Sequence, residues 1–231
     1  MRPGRMIPEM TKGTLPHVNH WNRFWKADAT ERFTKVSWSK RRILQTIQPF
    51  VHQGKRALDA GCGSGFFSRY FCDAGMKTVS LDYSDQALQI AEKATSGQSK
   101  LLKKNLLSSD LSKEIEERFD LIFSDGLLEH FSREDQDRIY ANFINLLSPG
   151  GVIATFVPNR WSPWELIRPF YMPGIEETPF VLSGLIDLHR RHHLSILAQG
   201  GLNTFPFAFS PDKLMGSWWG MLLYAIGKKI D

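Results

Sequence analysis

Only two cysteines, Cys62 and Cys72, occur in the 231 residues. Two thiols cannot build a disulfide framework, a four-thiolate zinc site or an iron–sulfur cluster with three or four cysteine ligands, so radical chemistry at such a cluster is excluded. No apolar run is long enough to cross a bilayer. The apolar segment Leu214 to Gly227 has 14 residues and is interrupted by Gly216, Ser217 and Gly220. The opening stretch MRPGRMIPEM carries charge without a continuous apolar run, which predicts no secretory signal and a cytoplasmic location. Repeats and low-complexity tracts are missing as well. What remains is ordinary globular composition, 42% hydrophobic and 23% charged. The 29 Lys and Arg against 24 Asp and Glu give +5, a weak bias toward anionic partners that decides nothing alone.

From Arg56 to Val157 short apolar runs alternate with amphipathic stretches, the pattern of a parallel sheet covered on both faces and hence of an α/β protein. Strands are predicted at Ala57 to Ala60, Thr78 to Asp82, Ser99 to Lys104, Asp120 to Ser124 and Val152 to Val157. Ser84 and Ser132 are placed as helix caps, and Pro149, Gly150 and Gly151 as the stop of the helix that follows Ser132. The stretch Asn159 to Leu197 reads as a helical cap, inserted at about 160–200. GLNTFPFAF and GMLLYAIGKKI read as a closing antiparallel pair at the sheet edge. Trp21 to Phe50 reads as helices, so residues 1–50 are expected to form a helical lid and 51–231 the main domain.

The most informative segment is ALDAGCGSGFF. Asp59 ends an apolar strand, and Gly61, Gly63 and Gly65 follow at alternate positions, where the chain can turn tightly and let a ligand approach its backbone. Asp82 closes the second strand, placed for a carboxylate that accepts two hydrogen bonds from ribose hydroxyls. A dinucleotide fingerprint would need glycine or alanine three positions after Gly63, and Phe66 stands there, which disfavours a dehydrogenase.

With LDAGCGSG, LDYSDQAL, NLL, FDLIFSDGLLEHF and LSPGGVIATFVPN in this order, the sequence resembles the class I S-adenosylmethionine-dependent methyltransferases over roughly Arg56 to Asn159. Its nearest likeness is to the small-molecule group that includes the ubiquinone and menaquinone biosynthesis enzymes. The resemblance implies a Rossmann-like, doubly wound, mostly parallel sheet with an antiparallel edge strand. It also implies S-adenosylmethionine as cofactor. Gly61, Gly63 and Gly65 would then line the methionine and ribose portion, with Asp59, Cys62 and Tyr83 in the same cofactor set and Asp82 on the ribose diol. Asn105 and Leu106 would face adenine, Asn105 standing where relatives usually carry Asp; Asp110 is the alternative after a register shift. Ser124 and Asp125 would lie near the cofactor's amino group. Arg41 would meet the methionine carboxylate, or else form part of a solvated basic face with Lys40 and Arg42.

For the acceptor, His130 is a candidate base, or a residue packed against the next helix. Trp161, Trp164, Arg168 and Tyr171 follow the fifth strand and are expected to shape a small-molecule pocket, aromatic or lipid-like in taste. Trp21, Phe24, Trp25 and Trp38 are either an aromatic lid or core. The run HRRHH, with His189, His192 and His193, is either a metal or anion site or a solvated basic helix; no recognised metal pattern is present. After the fourth strand SDGL stands in place of the Pro-Pro-aromatic segment of enzymes that methylate nucleobase amines, and no nucleic-acid motif is found. Two alternatives stay open: an accessory protein that binds cofactor without transfer, and a lipid or quinone methyltransferase touching the membrane through Trp218 and Trp219.

Overall fold

The computed structural model describes residues 18–26, 33–171 and 177–230, excepting the side chains of 18–20 and 171. Among the described residues seven strands form one sheet: β1 (Arg56–Ala60), β2 (Lys77–Asp82), β3 (Lys100–Lys103), β4 (Phe119–Asp125), β5 (Leu147–Pro158), β6 (Leu194–Leu202) and β7 (Leu222–Lys229). Their order is β3-β2-β1-β4-β5-β7-β6, with every pair from β3 to β5 parallel and β7 antiparallel to both β5 and β6.

Both faces of this sheet are dry because its central strands are apolar at successive positions, and successive side chains point to opposite faces. Leu58, Ile122 and Ile153 pack on one side with Ile139, Tyr140 and Phe143 of α6 (Arg133–Leu146) and Leu185 and Leu188 of α8 (Leu182–Arg191). Ala57, Phe123, Ala154 and Phe156 pack on the other with Ile43 and Ile47 of α2 (Trp38–Ile47) and Phe67 and Phe71 of α3 (Phe66–Asp73). Ser84 caps α4 (Asp85–Thr95) by accepting from the Ala87 N–H at 3.3 Å. Ser132 caps α6 by accepting from the Asp135 N–H at 3.2 Å.

Three expectations change. Helix α6 ends at Leu146, before Pro149, and the chain passes straight into β5, so Pro149, Gly150 and Gly151 belong to the strand's irregular start rather than to a helix stop. The closing pair begins earlier than expected: β6 is HLSILAQGGL without its histidine, while TFPFAF is a loop with Phe205, Phe207 and Phe209 exposed. Pro206 and Pro211 break that segment, and its alternating rings mimic a strand they do not form. The cap is also shorter, because α8 packs on the sheet as a regular layer. His189 is buried there, its ring 3.1 Å from the Leu185 carbonyl, and burial lowers it to about 4. Within the HRRHH run His189 is core, whereas Arg190, Arg191 and His193 are exposed as on a solvated basic face; Arg191 and His192 both meet Asp137 at 3.0 Å, and His193 follows the helix at φ 56°.

Among the described residues no helix is long and apolar enough to cross a membrane.

Candidate active site

Parallel strands end together, and here the carboxyl ends of β1, β2 and β4 open on one cavity of about 420 Å³. The loop after β1 is held against β2, because the N–H groups of Gly61 and Cys62 both donate to the Leu81 carbonyl, at 2.8 and 3.0 Å. Its turn requires glycine in two places for different reasons. Gly65, at φ 69°, precedes α3, and a Cβ there would lie 2.5 Å from Ala91 Cα, so glycine lets α3 and α4 close on each other. Gly63, at φ 49°, faces the cavity, and a Cβ would meet the Trp25 ring at 2.6 Å.

Asp82 sits across from that loop. Its Oδ2 accepts from the Gly63 N–H at 3.0 Å and its Oδ1 from the Ser84 N–H at 2.8 Å. Burial raises its pKa while these N–H bonds oppose the rise. Each carboxylate oxygen retains a second lone pair, so the side chain is oriented by the backbone without being used up. Asp59 lies deeper, accepting from the Ser68 hydroxyl at 2.6 Å, and burial pushes it up to about 7. The same burial raises the Cys62 thiol well above its usual value, which removes it as a nucleophile.

Helix α1 (Val18–Lys26) forms the opposite wall, tied down by the Ser84 hydroxyl donating to Asn22 Oδ1 at 2.7 Å. Trp21, Phe24, Trp25 and Phe33 pack edge to face or tilted against each other and also line the cavity, so the aromatic packing and the cavity wall are one arrangement. Trp38 lies elsewhere, under the Arg41 guanidinium at 5.0 Å.

Of the residues expected at the cofactor, Asp59, Gly61, Cys62, Gly63, Asp82, Tyr83, Asn105, Leu106 and Asp125 line the cavity. Asn105 turns its Oδ1 onto the Leu107 N–H at 2.9 Å, so that oxygen already has a backbone partner. Asp110 is exposed and paired with Lys113 at 2.7 Å. Gly65 and Ser124 lie behind the wall, Ser124 buried against the Thr155 hydroxyl at 3.5 Å. Arg41 is exposed and outside the cavity; one helical step of about 100° separates it from Lys40, which points in. The Lys40 ammonium donates to the Phe33 carbonyl and lies 3.9 Å from the Phe66 ring. Burial lowers it to about 8, against the opposing pull of Asp125. Asp125 is itself raised by burial to about 7, with Lys40 pulling the other way. Sequence reasoning named Lys40 only as part of a solvated basic face with Arg41 and Arg42; the signal that could have found it is its helical offset from the buried Ile43 and Ile47.

On the acceptor side His130, Trp164 and Arg168 line the cavity. His130 receives Trp21 edge to face, with centroids 4.8 Å apart, and its Nε2 is 4.0 Å from Glu129 Oε1. Trp161 is exposed under Arg160 and outside the cavity, and the side chain of Tyr171 lies outside the described residues. Two cavity carboxyls were not foreseen, Glu129 and Glu177. With His130 they bring potential ligand atoms within 4.8 Å of one another.

Comparison with known proteins follows the same lines. Residues 58–153 match the family model described as a methyltransferase domain. A malonyl-[acyl-carrier protein] O-methyltransferase of Pectobacterium atrosepticum is 28% identical over 173 residues, covering 73% of this chain and 66% of that protein. A ubiquinone biosynthesis O-methyltransferase of Pseudomonas fluorescens is 28% identical over 128 residues, covering 54% of this chain and 51% of its own length. The chain thus spans less than two thirds of these curated relatives. In fold it is similar to the N-methyltransferase NodS of Bradyrhizobium japonicum, with a TM-score of 0.67 at 15% identity over 93% of this chain and 98% of that one.

Proposed function

With the match of residues 58–153 to a methyltransferase domain as premise, we propose that this protein is a class I S-adenosylmethionine-dependent methyltransferase that transfers the methyl group to a small-molecule acceptor. The observation that carries the reading is the pairing of a side-chain-free loop at Gly61 and Gly63 with a backbone-oriented Asp82 across one cavity. The fit is chemical as well as spatial. Asp82 keeps lone pairs for a ribose diol, Tyr83 and Leu106 offer an apolar slot for a purine, and Lys40 and Asp125 offer opposite charges to an amino acid's carboxylate and ammonium. When bound, the cofactor supplies an electrophilic methyl group on a sulfonium centre. The chain's part is to align the acceptor in line with that group and keep water out, which the aromatic wall of α1 is built to do. His130, half-enclosed beside Trp21, is the group placed to take a proton from a hydroxyl acceptor.

Calorimetric titration with S-adenosylmethionine, S-adenosylhomocysteine and NAD tests this. Both adenosyl ligands should bind the unmodified protein, and Asp82→Ala should weaken them by about 10- to 100-fold for the loss of charged hydrogen bonds. Preferential binding of NAD would overturn the assignment.

One observation favours a second reading, in which the protein also rests on an anionic bilayer surface in a cytoplasmic setting. Helix α9 (Asp212–Trp219) turns Gly216 against Gly201 of β6, and so leaves Leu214 87% and Trp218 75% exposed beside Trp219. Phe207 and Phe209 of the preceding loop are exposed as well, as are Phe170 of α7 (Trp164–Tyr171), Lys213 and Arg160. Exposed Trp and Phe together with basic side chains are what a lipid headgroup layer takes up. Co-sedimentation with phosphatidylglycerol vesicles should fall when Trp218 and Trp219 are both changed to Ala. Unchanged partitioning would remove this reading.

A further inference from the structure

The acceptor end of the cavity is short of positive charge. Glu129 follows β4 and is 3% exposed, with its Oε2 bonded to nothing among the described residues, and it faces the cavity. Glu177 faces the same space. Arg168 lies between Glu165 and Glu177, its Nε 3.4 and 3.3 Å from their carboxyl oxygens, so one guanidinium serves two acids. Among the described residues lining the cavity, the other basic side chains are Lys40, which faces Asp125 at the cofactor end, and Lys104, which pairs with Glu114 outside it. Trp21 and Trp164 supply aromatic walls.

A buried carboxylate with an unused oxygen, a second acid only half neutralised and two indole rings make a receptor for an organic cation. We propose that this corner binds the ammonium group of the acceptor, so that the small molecule this site takes is an amine. The inference rests on the methyltransferase reading above and names its substrate class.

Burial raises Glu129, Glu165 and Glu177, and a cation seated beside them would oppose that rise by favouring their charged forms. A divalent metal on Glu129, His130 and Glu177 is the competing occupant. It is disfavoured because Arg168 already pairs with the Glu177 carboxyl, and a cationic guanidinium beside the ligand atoms repels a metal ion. An acceptor carrying a carboxylate would be repelled.

The test uses the full chain saturated with S-adenosylhomocysteine. Calorimetry compares 2-phenylethylamine, 3-phenylpropan-1-ol and 3-phenylpropionate, then repeats the amine with phosphatidylethanolamine against phosphatidylglycerol vesicles. The amine should bind at least tenfold more tightly than the alcohol, and the acid should be weakest. A preference for free amine assigns a soluble acceptor, and a preference for ethanolamine vesicles assigns an aminolipid; either supports the proposal. In Glu129→Gln the amine-to-alcohol ratio should collapse toward one, with Glu177→Gln as an independent check and S-adenosylhomocysteine uptake reporting that each variant folds. Equal affinity for amine and alcohol, a ratio untouched by both variants, or manganese binding that the amine cannot displace would each overturn it. Failure of the unmodified protein to take up S-adenosylhomocysteine would instead sink the methyltransferase reading itself.

Discussion

Replacing Gly63 by Ala probes the contact between α1 and the loop after β1. Two costs are separable. The residue sits at φ 49°, where an L side chain costs about 1–2 kcal/mol. The new Cβ would also lie 2.6 and 2.8 Å from two carbons of the Trp25 ring. Carbon atoms settle at about 3.5–4.0 Å, so the ring must retreat by roughly 1 Å. Forcing such a shift in a packed site costs about 1–3 kcal/mol. Gly63→Ala should therefore lose about 2–5 kcal/mol in urea unfolding. In a Trp25→Ala background the steric part vanishes and only the backbone part remains, so the double-mutant cycle should show a coupling of about 1–3 kcal/mol. Additivity within about 0.5 kcal/mol is what independent sites give. That outcome would mean α1 does not lie over the loop, and the closed cavity would have to be redrawn.

Two further outcomes follow from the core and from the buried acids. Phe123 is fully buried among Phe67, Phe71 and Phe156, and Phe123→Ala should cost about 3–5 kcal/mol by chemical denaturation; a loss below about 1 kcal/mol would contradict the packing. Asp59 and Asp125, raised to about 7 from 3.8, hold protons in the folded protein that the unfolded chain has released. Their contribution is therefore complete below about pH 4 and is lost as pH rises to about 7. In Asp59→Asn the ligand-free protein should lose less stability between pH 4 and 7 than the unmodified one; identical slopes would show that Asp59 ionises normally.

Much of this protein was legible without coordinates because its signals are local. Five strands of the parallel half, the serine caps of α4 and α6, and the places of Asp59 and Asp82 at strand ends and of Gly61 and Gly63 in the turn depend on residues adjacent in the chain, where apolar runs, hydroxyls and missing side chains speak for themselves. The loop carrying Phe205, Phe207 and Phe209 misled because alternation is only a pattern until something covers one face of it.

The order of those strands, which sets the glycine loop after β1 beside the acid that ends β2, is decided by how the strands pair in the sheet and not by their periodicity. Tertiary packing alone decided that Lys40 rather than Arg41 turns inward, that His189 is core rather than a surface base, and that Glu129 and Glu177 meet across 48 residues of chain. Each of those outcomes depends on which face of a helix or loop is desolvated by a distant segment, and desolvation is a property of the neighbours a residue finds, not of the residues it follows.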